Sequence, residues 1–322
     1  MYLSTTVVLV VAFFCALPWV SSALALFFGI FISLVFQFKL PTPLKASSRI
    51  AMQTAIVLLG FSMSPSQMVK SGTEGLVVTF VSLVLTLFVG WVIGRFMRLE
   101  HKLSFLISCG SGICGGTAIN SIAPIIRASE AELAVSLACV FILNAVALTV
   151  FPYMGHFFEL SPLQFGWLAA IAIHDTSSVV GAATIFSPES VDLAITAKLT
   201  RALWIIPLMV VTTFFLQWHA RRSQNKTVDS KNVNSSVKPK WPVFIFIFIG
   251  AVLLHGILPD MPKVYYWSDI AGKSLLKVAI FFMGLQLTRK MIRDVGFKSM
   301  SHATLLWFLV TGGTLAWVIN FV

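Results

Sequence analysis

Ser108-Cys109-Gly110-Ser111-Gly112-Ile113-Cys114-Gly115-Gly116-Thr117-Ala118-Ile119-Asn120 is a glycine-rich, helix-breaking run flanked by Leu103-Ser104-Phe105-Leu106-Ile107 and Ile122-Ala123-Pro124-Ile125-Ile126. Lipid supplies no hydrogen bonds, so backbone that breaks at membrane depth must be satisfied by protein or by a water-filled cavity. The run therefore points to a binding site inside a membrane protein.

Composition agrees. Of 322 residues, 57% are hydrophobic and only 11% charged, against about 25% charged in globular domains; mean hydropathy is +0.90. The net charge of +11 falls in short runs between apolar segments, which fits membrane topology better than nucleic acid. Cys15, Cys109, Cys114 and Cys139 all lie in apolar sequence without neighbouring His or carboxylate, so they read as small core residues, with no disulfide framework and no metal. The apolar N-terminus lacks the basic start of a signal peptide and is expected to be a retained first helix.

Apolar segments long enough to span run over 6–20, 22–37, 49–65, 75–97, 131–153, 190–217, 241–258, 268–288 and 299–322; two more, 103–127 and 164–186, are interrupted by polar residues. The expected fold is an all-α polytopic membrane protein of about 9–11 segments, two of them broken or re-entrant. Basic clusters at Lys39/Lys45/Arg49, Arg95/Arg98/Lys102, Arg221–Lys240 and Arg289/Lys290/Arg293/Lys298 are expected in the cytoplasm. Residues 1–218 form a first membrane part containing both broken segments, 219–240 a polar, flexible linker, and 241–322 a second membrane part of the same unit. Ala55-Ile56-x-x-x-Gly60 recurs as Ala279-Ile280-x-x-x-Gly284, and Trp91-Val92-Ile93 as Trp317-Val318-Ile319. With opposed loop charges, these copies suggest an inverted repeat. If each broken segment enters and returns as a hairpin, the two come from opposite faces; if each spans once, they share an orientation.

A helix restarting near Gly115 or Gly116 points amide N–H groups and a partial positive charge inward, which suits an anion. Ser111, Gly112, Cys114, Gly115, Gly116, Thr117 and Asn120 are the candidate binding residues here. The second broken segment reads Ile173-His174-Asp175-Thr176-Ser177-Ser178-Val179-Val180-Gly181-Ala182-Ala183. Thr176, Ser177 and Ser178 are candidates for the same site, and His174 or Asp175 for proton coupling, since ionisable groups at this depth face the bundle interior or water. Lys198 and Arg201 complete the set; Arg201 is expected to pair with Asp175 or a substrate anion. Lys273 and Lys277 read as a solvated or snorkelling face, and Asn144 as an interhelical hydrogen bond. No P-loop, catalytic triad or carboxylate-rich metal motif is present, which argues against a primary pump or an enzyme and calls for no cofactor.

Leu59-Gly60-Phe61-Ser62-Met63-Ser64, Ser111-Gly112-Ile113-Cys114-Gly115-Gly116-Thr117-Ala118, the His174–Ala182 run, Lys198-Leu199-Thr200-Arg201 and Met283-Gly284-Leu285-Gln286-Leu287-Thr288 occur in an order that resembles the YeiH-like sulfate exporter family of the bacterial inner membrane. The resemblance implies an inverted-repeat secondary transporter, related to the cation:proton antiporter and bile-acid symporter superfamily, carrying sulfate or a related sulfur oxyanion. Elevator-type relatives imply a homodimer. One departure is Asp175, where the family usually has Glu. Two rivals stay open: a sodium-coupled transporter or sodium/proton exchanger of the same fold, and an anion-binding membrane sensor that moves nothing.

Overall fold

A computed structural model describes residues 5–17, 19–36, 41–61, 65–223, 243–258 and 261–322. Residues 224–240 of the expected linker, and Ser62–Ser64, lie outside the described residues. Among those described, every regular element is helical: α1 (Thr5–Cys15), α2 (Ser22–Phe36), α3 (Thr42–Gly60), α4 (Pro65–Phe96), α5 (His101–Gly112), α6 (Gly116–Ile122), α7 (Glu130–Phe157), α8 (Pro162–Ala172), α9 (Thr176–Phe186), α10 (Val191–Leu203), α11 (Ile205–Ser223), α12 (Val243–Ile257), α13 (Pro262–Gln286), α14 (Arg289–Asp294) and α15 (Phe297–Phe321), with a 3-10 turn at Pro188–Ser190. Among the described residues four stretches are long and apolar enough to cross a membrane by length and composition: Gly75–Phe96, Glu130–Phe157, Pro188–Trp218 and Phe297–Phe321. Thr6–Cys15, Leu24–Phe36, Ile50–Gly60, Pro162–Ala172, Thr176–Phe186 and Phe246–Ile257 are shorter apolar helices.

Local chemistry sets the boundaries that matter. Ser129 accepts from the Glu132 N–H at 3.2 Å while its own N–H donates to the Glu132 carboxylate, and Ser161 and Gln164 repeat this arrangement. Such reciprocal caps satisfy the orphan donors of a first turn and fix the starts of α7 and α8. The segment expected as one helix over 190–217 is divided at Trp204, because Pro207 has no N–H to donate back to Leu203. Conversely, α11 continues to Ser223, into the start of the expected linker.

Both broken segments are hairpins. Lys102, at the start of α5, donates to the carbonyl of Arg127, beyond α6, at 2.9 Å; a Cβ on Gly110 would lie 2.8 Å from Ile119, so the two arms are in contact. In the second hairpin Phe165 near the start of α8 stacks on Phe186 at the end of α9, with ring centroids 4.0 Å apart. Helix α7 links the two mouths. It begins just after the first hairpin, and near its far end Gly155 faces Phe165 and Phe186. Its 28 residues measure about 42 Å at 1.5 Å per residue. The hairpins therefore enter from opposite ends of the bundle and meet near its middle. Arg95, Arg98, Lys102 and Arg127 gather at the first mouth, Glu159 at the second.

Around the hairpins pack α4, α7, α10 and α15, while α13 packs mainly on α2 and α3, joined by α1 and α12. The α2–α13 crossing is made at Gly29 and Gly284, whose Cα atoms leave no room for side chains, the small-residue packing common in membranes. The repeat copies meet here too. The end of α3 is tied to the end of α12, by His255 Nδ1 at 2.6 Å from the Phe61 carbonyl, and α13 starts a few residues later. Helices α3 and α13 thus run antiparallel, with Gly272 against Ala55 and Leu59. Residues Phe165–Ala172 of α8, Thr176–Ala183 of α9 and Leu193–Ala202 of α10 are buried without interruption, as expected for helices enclosed on all sides. Phe80, Phe88 and Trp91 of α4 and Phe214 of α11 stand exposed on the outside.

Candidate functional site

The hairpin tips, residues 113–115 and 173–175, form one junction. Gly115 adopts φ 62°, ψ −120°, a left-handed conformation open to glycine, and a Cβ there would lie 3.5 Å from His174. Ser111 Oγ is 3.1 Å from His174 Nε2. Asn144, at the middle of α7, holds the second tip: its Oδ1 accepts from the His174 N–H at 3.1 Å and the Asp175 N–H at 3.2 Å. The interhelical bond expected of Asn144 is thus a double one, to backbone freed by the break.

The last carbonyls of α8 are taken by side chains from two other helices. Lys198 Nζ donates to Ala170 at 3.2 Å and Ile173 at 2.6 Å. Arg201 Nη1 donates to Ala170 at 3.5 Å and to Ile171, and its Nη2 crosses to the Ser111 carbonyl of the first hairpin at 3.0 Å. Trp307 Nε1 donates to Ala172 at 3.0 Å. A cation at a helix C-terminus meets the negative end of the macrodipole, and here two do. The expected Arg201–Asp175 pairing is replaced by these carbonyl bonds; among the described residues neither Lys198 nor Arg201 forms an ion pair. Asp175 instead caps α9, accepting from the Ser177 N–H at 3.0 Å, the Ser178 N–H at 3.4 Å and the Ser177 hydroxyl.

Ser111, Gly112, Cys114, Gly115, His174, Thr176, Ser177, Ser178, Lys198 and Arg201 are all buried around this junction, and Asp175 and Gly116 are half-buried. Thr117 and Asn120 are exposed, on the other face of α6, and the Asn120 amide is bound to the Gly116 carbonyl at 2.7 Å. The Thr117 hydroxyl and the Ala118 N–H both reach the Cys114 sulfur. Lys277 departs from its expected solvated face: it is buried and donates to the Leu17 carbonyl at 2.6 Å, whereas Lys273 pairs with Asp269 at the surface. Trp307 and His302 were not singled out from sequence; a lone Trp or His in an apolar segment carries no signal of its own.

Donors exceed acceptors at the junction. Among the described residues Arg201 Nε and Asn144 Nδ2 are buried donors without partners, and each cation retains N–H groups beyond those used, since ammonium has three and guanidinium five. Buried donors with no acceptor are costly, and an anion would satisfy them.

These features define a multi-pass, all-helical membrane protein built on two opposed re-entrant hairpins. The family described as conserved hypothetical protein 698 matches residues 2–268. A UPF0324 membrane protein of Porphyromonas gingivalis is 39% identical over 304 residues, 94% of this chain and 88% of the relative. One from Bacteroides thetaiotaomicron is 39% identical over 93% of this chain and 87% of its own length, and one from Geobacter sulfurreducens 34% over 94% and 92%. The chain belongs to this UPF0324 family. No solved structure matches it significantly.

Proposed function

We propose that this protein is a secondary transporter of a small oxyanion, sulfate, sulfite or an organosulfur anion, as its resemblance to the YeiH-like sulfate exporters implies. The observation that carries the reading is the surplus of buried, unpartnered donors where the hairpin tips meet, above all Arg201 Nε. A site at mid-depth between opposed hairpins is one that either face of the membrane can reach by a shift of one bundle against the other. The hairpin bundle meets the α2–α13 group at Gly181 against Ile280 and Ser22, and at Ser178 Oγ, 3.7 Å from the Met283 sulfur.

Coupling falls to protons, with His174 and Asp175 as carriers. Sodium would need free carbonyls at a broken helix end, and at the second break those of Ala170, Ile171, Ala172 and Ile173 are bound by Lys198, Arg201 and Trp307. Labelled sulfite, sulfate and an organosulfonate should be tested in proteoliposomes under imposed pH and sodium gradients. The expected result is flux of at least one anion, driven by the pH gradient and indifferent to sodium. Sodium-driven flux would favour the exchanger reading, and saturable binding without flux would favour a sensor.

A further inference from the structure

One face of α5 carries His101, Ser104, Ser108 and Ser111, at spacings of three, four and three. At 3.6 residues per turn all four fall within roughly 80° of arc. The stripe begins at the basic mouth of the first hairpin and ends at the junction. At its lower end His101, Ser104 and Ser108 line, with Arg95, a notch of about 40 Å³, which has room for water. At its upper end Ser111 meets His174.

Beside the lower end lies His302 of α15, fully buried. Its Nε2 is 2.9 Å from the Gly90 carbonyl and 3.2 Å from Ser104 Oγ. A carbonyl only accepts, so Nε2 carries the hydrogen, and Nδ1, which has no partner, keeps a lone pair free to take a proton. Ser108 Oγ donates to the Ser104 carbonyl at 2.7 Å. Gly90 and Gly94 press bare backbone against both hydroxyls: a Cβ on either would lie 2.0 Å from Ser108 or Ser104 Oγ. Ser104 also donates to the Gly90 carbonyl at 3.3 Å, so both hydroxyls rest on backbone while His302 Nδ1 has no partner among the described residues.

We propose that this stripe is the proton route between the basic face of the protein and His174, a reading that rests on the proton-coupled transport proposed above. Water in the notch gives a proton to Ser104, which lines it, while His302, 3.2 Å from that hydroxyl through Nε2, holds it in place. The Ser104 and Ser108 hydroxyls are turned to the Gly90 and Ser104 carbonyls, so water in the notch that both line bridges them and a further water spans the step from Ser108 to Ser111; each hydroxyl accepts one proton on oxygen and releases its own, so that one proton reaches His174 and no charge is left behind. Arg95 and His101 face the entry; Lys198, Arg201 and Asp175 surround the exit.

The test uses full-length protein in proteoliposomes containing a pH-sensitive dye, with sulfite, sulfate and an organosulfonate as probes. Ser104→Ala, Ser108→Ala and His302→Gln are compared with wild type in two modes: uptake driven by a pH gradient, and exchange of the same anion across vesicles at equal pH. The expected result is at least a tenfold or so loss of proton-driven uptake and dye response, with exchange within about twofold of wild type. The two serine variants only shorten side chains, so they keep the test sound should His302→Gln fold poorly. Wild-type coupling that survives in the serine variants refutes the route alone, and an equal fall in both modes assigns the stripe a structural role. Wild type that carries none of the probes, or ignores the pH gradient, overturns the transport reading and the route together.

Discussion

Asn144→Ala removes the acceptor that holds the second hairpin tip. The chain leaves helical geometry at Ile173, φ −90°, ψ 131°, so the His174 and Asp175 amides have no helical carbonyl to reach, and Asn144 Oδ1 takes both, at 3.1 and 3.2 Å. Asn144 is fully buried. Leaving a buried donor unpaired costs about 1–3 kcal/mol, so two amides together give about 2–6 kcal/mol. Equilibrium unfolding in detergent, followed by tryptophan fluorescence, reads the loss. Asn120→Ala is the matched control: its amide bonds the Gly116 carbonyl on an exposed face, and surface changes of this kind stay within about 0.5 kcal/mol. Equal stabilities for the two variants would refute the claim that Asn144 organises the tip.

Gly115→Ala forces a side chain into φ 62° with Val140 only 3.1 Å away; a loss of about 1–3 kcal/mol is expected in the same assay. Gly284→Ala would place a Cβ 2.6 Å from the Leu26 carbonyl and cost a further 1–3 kcal/mol or so by forcing α2 and α13 apart, whereas Gly250→Ala, with open space around it, should be close to neutral. Trp307→Phe keeps an aromatic ring stacked near Phe151 but leaves the Ala172 carbonyl without its donor; thermal unfolding should register about 1–3 kcal/mol.

Much of this architecture was legible because membranes leave the backbone few choices. Glycines at 110, 112, 115 and 116 and the His174–Asp175 pair stand out in apolar sequence, and the breaks fall there. Whether the broken segments span or return was not legible, because that depends on contacts such as Lys102 with Arg127 and Phe165 with Phe186, made far apart in sequence. The partners of Lys198 and Arg201 were hidden for a related reason: a buried cation invites a carboxylate on paper, but here the C-terminal carbonyls of α8 do the same work. Two signals were readable and easily passed over. Gly90 and Gly94 form a small-xxx-small pair, and the 101/104/108/111 spacing marks one polar face of α5.

Crystals grown with selenate, a sulfate analogue whose selenium scatters anomalously, would locate the anion directly. The expected anomalous peak lies at the hairpin junction, with oxygens about 3 Å from Arg201 Nε and the Lys198 ammonium. No peak at saturating selenate, or a peak remote from residues 113–115 and 173–175, would contradict the assignment of this junction as an oxyanion site.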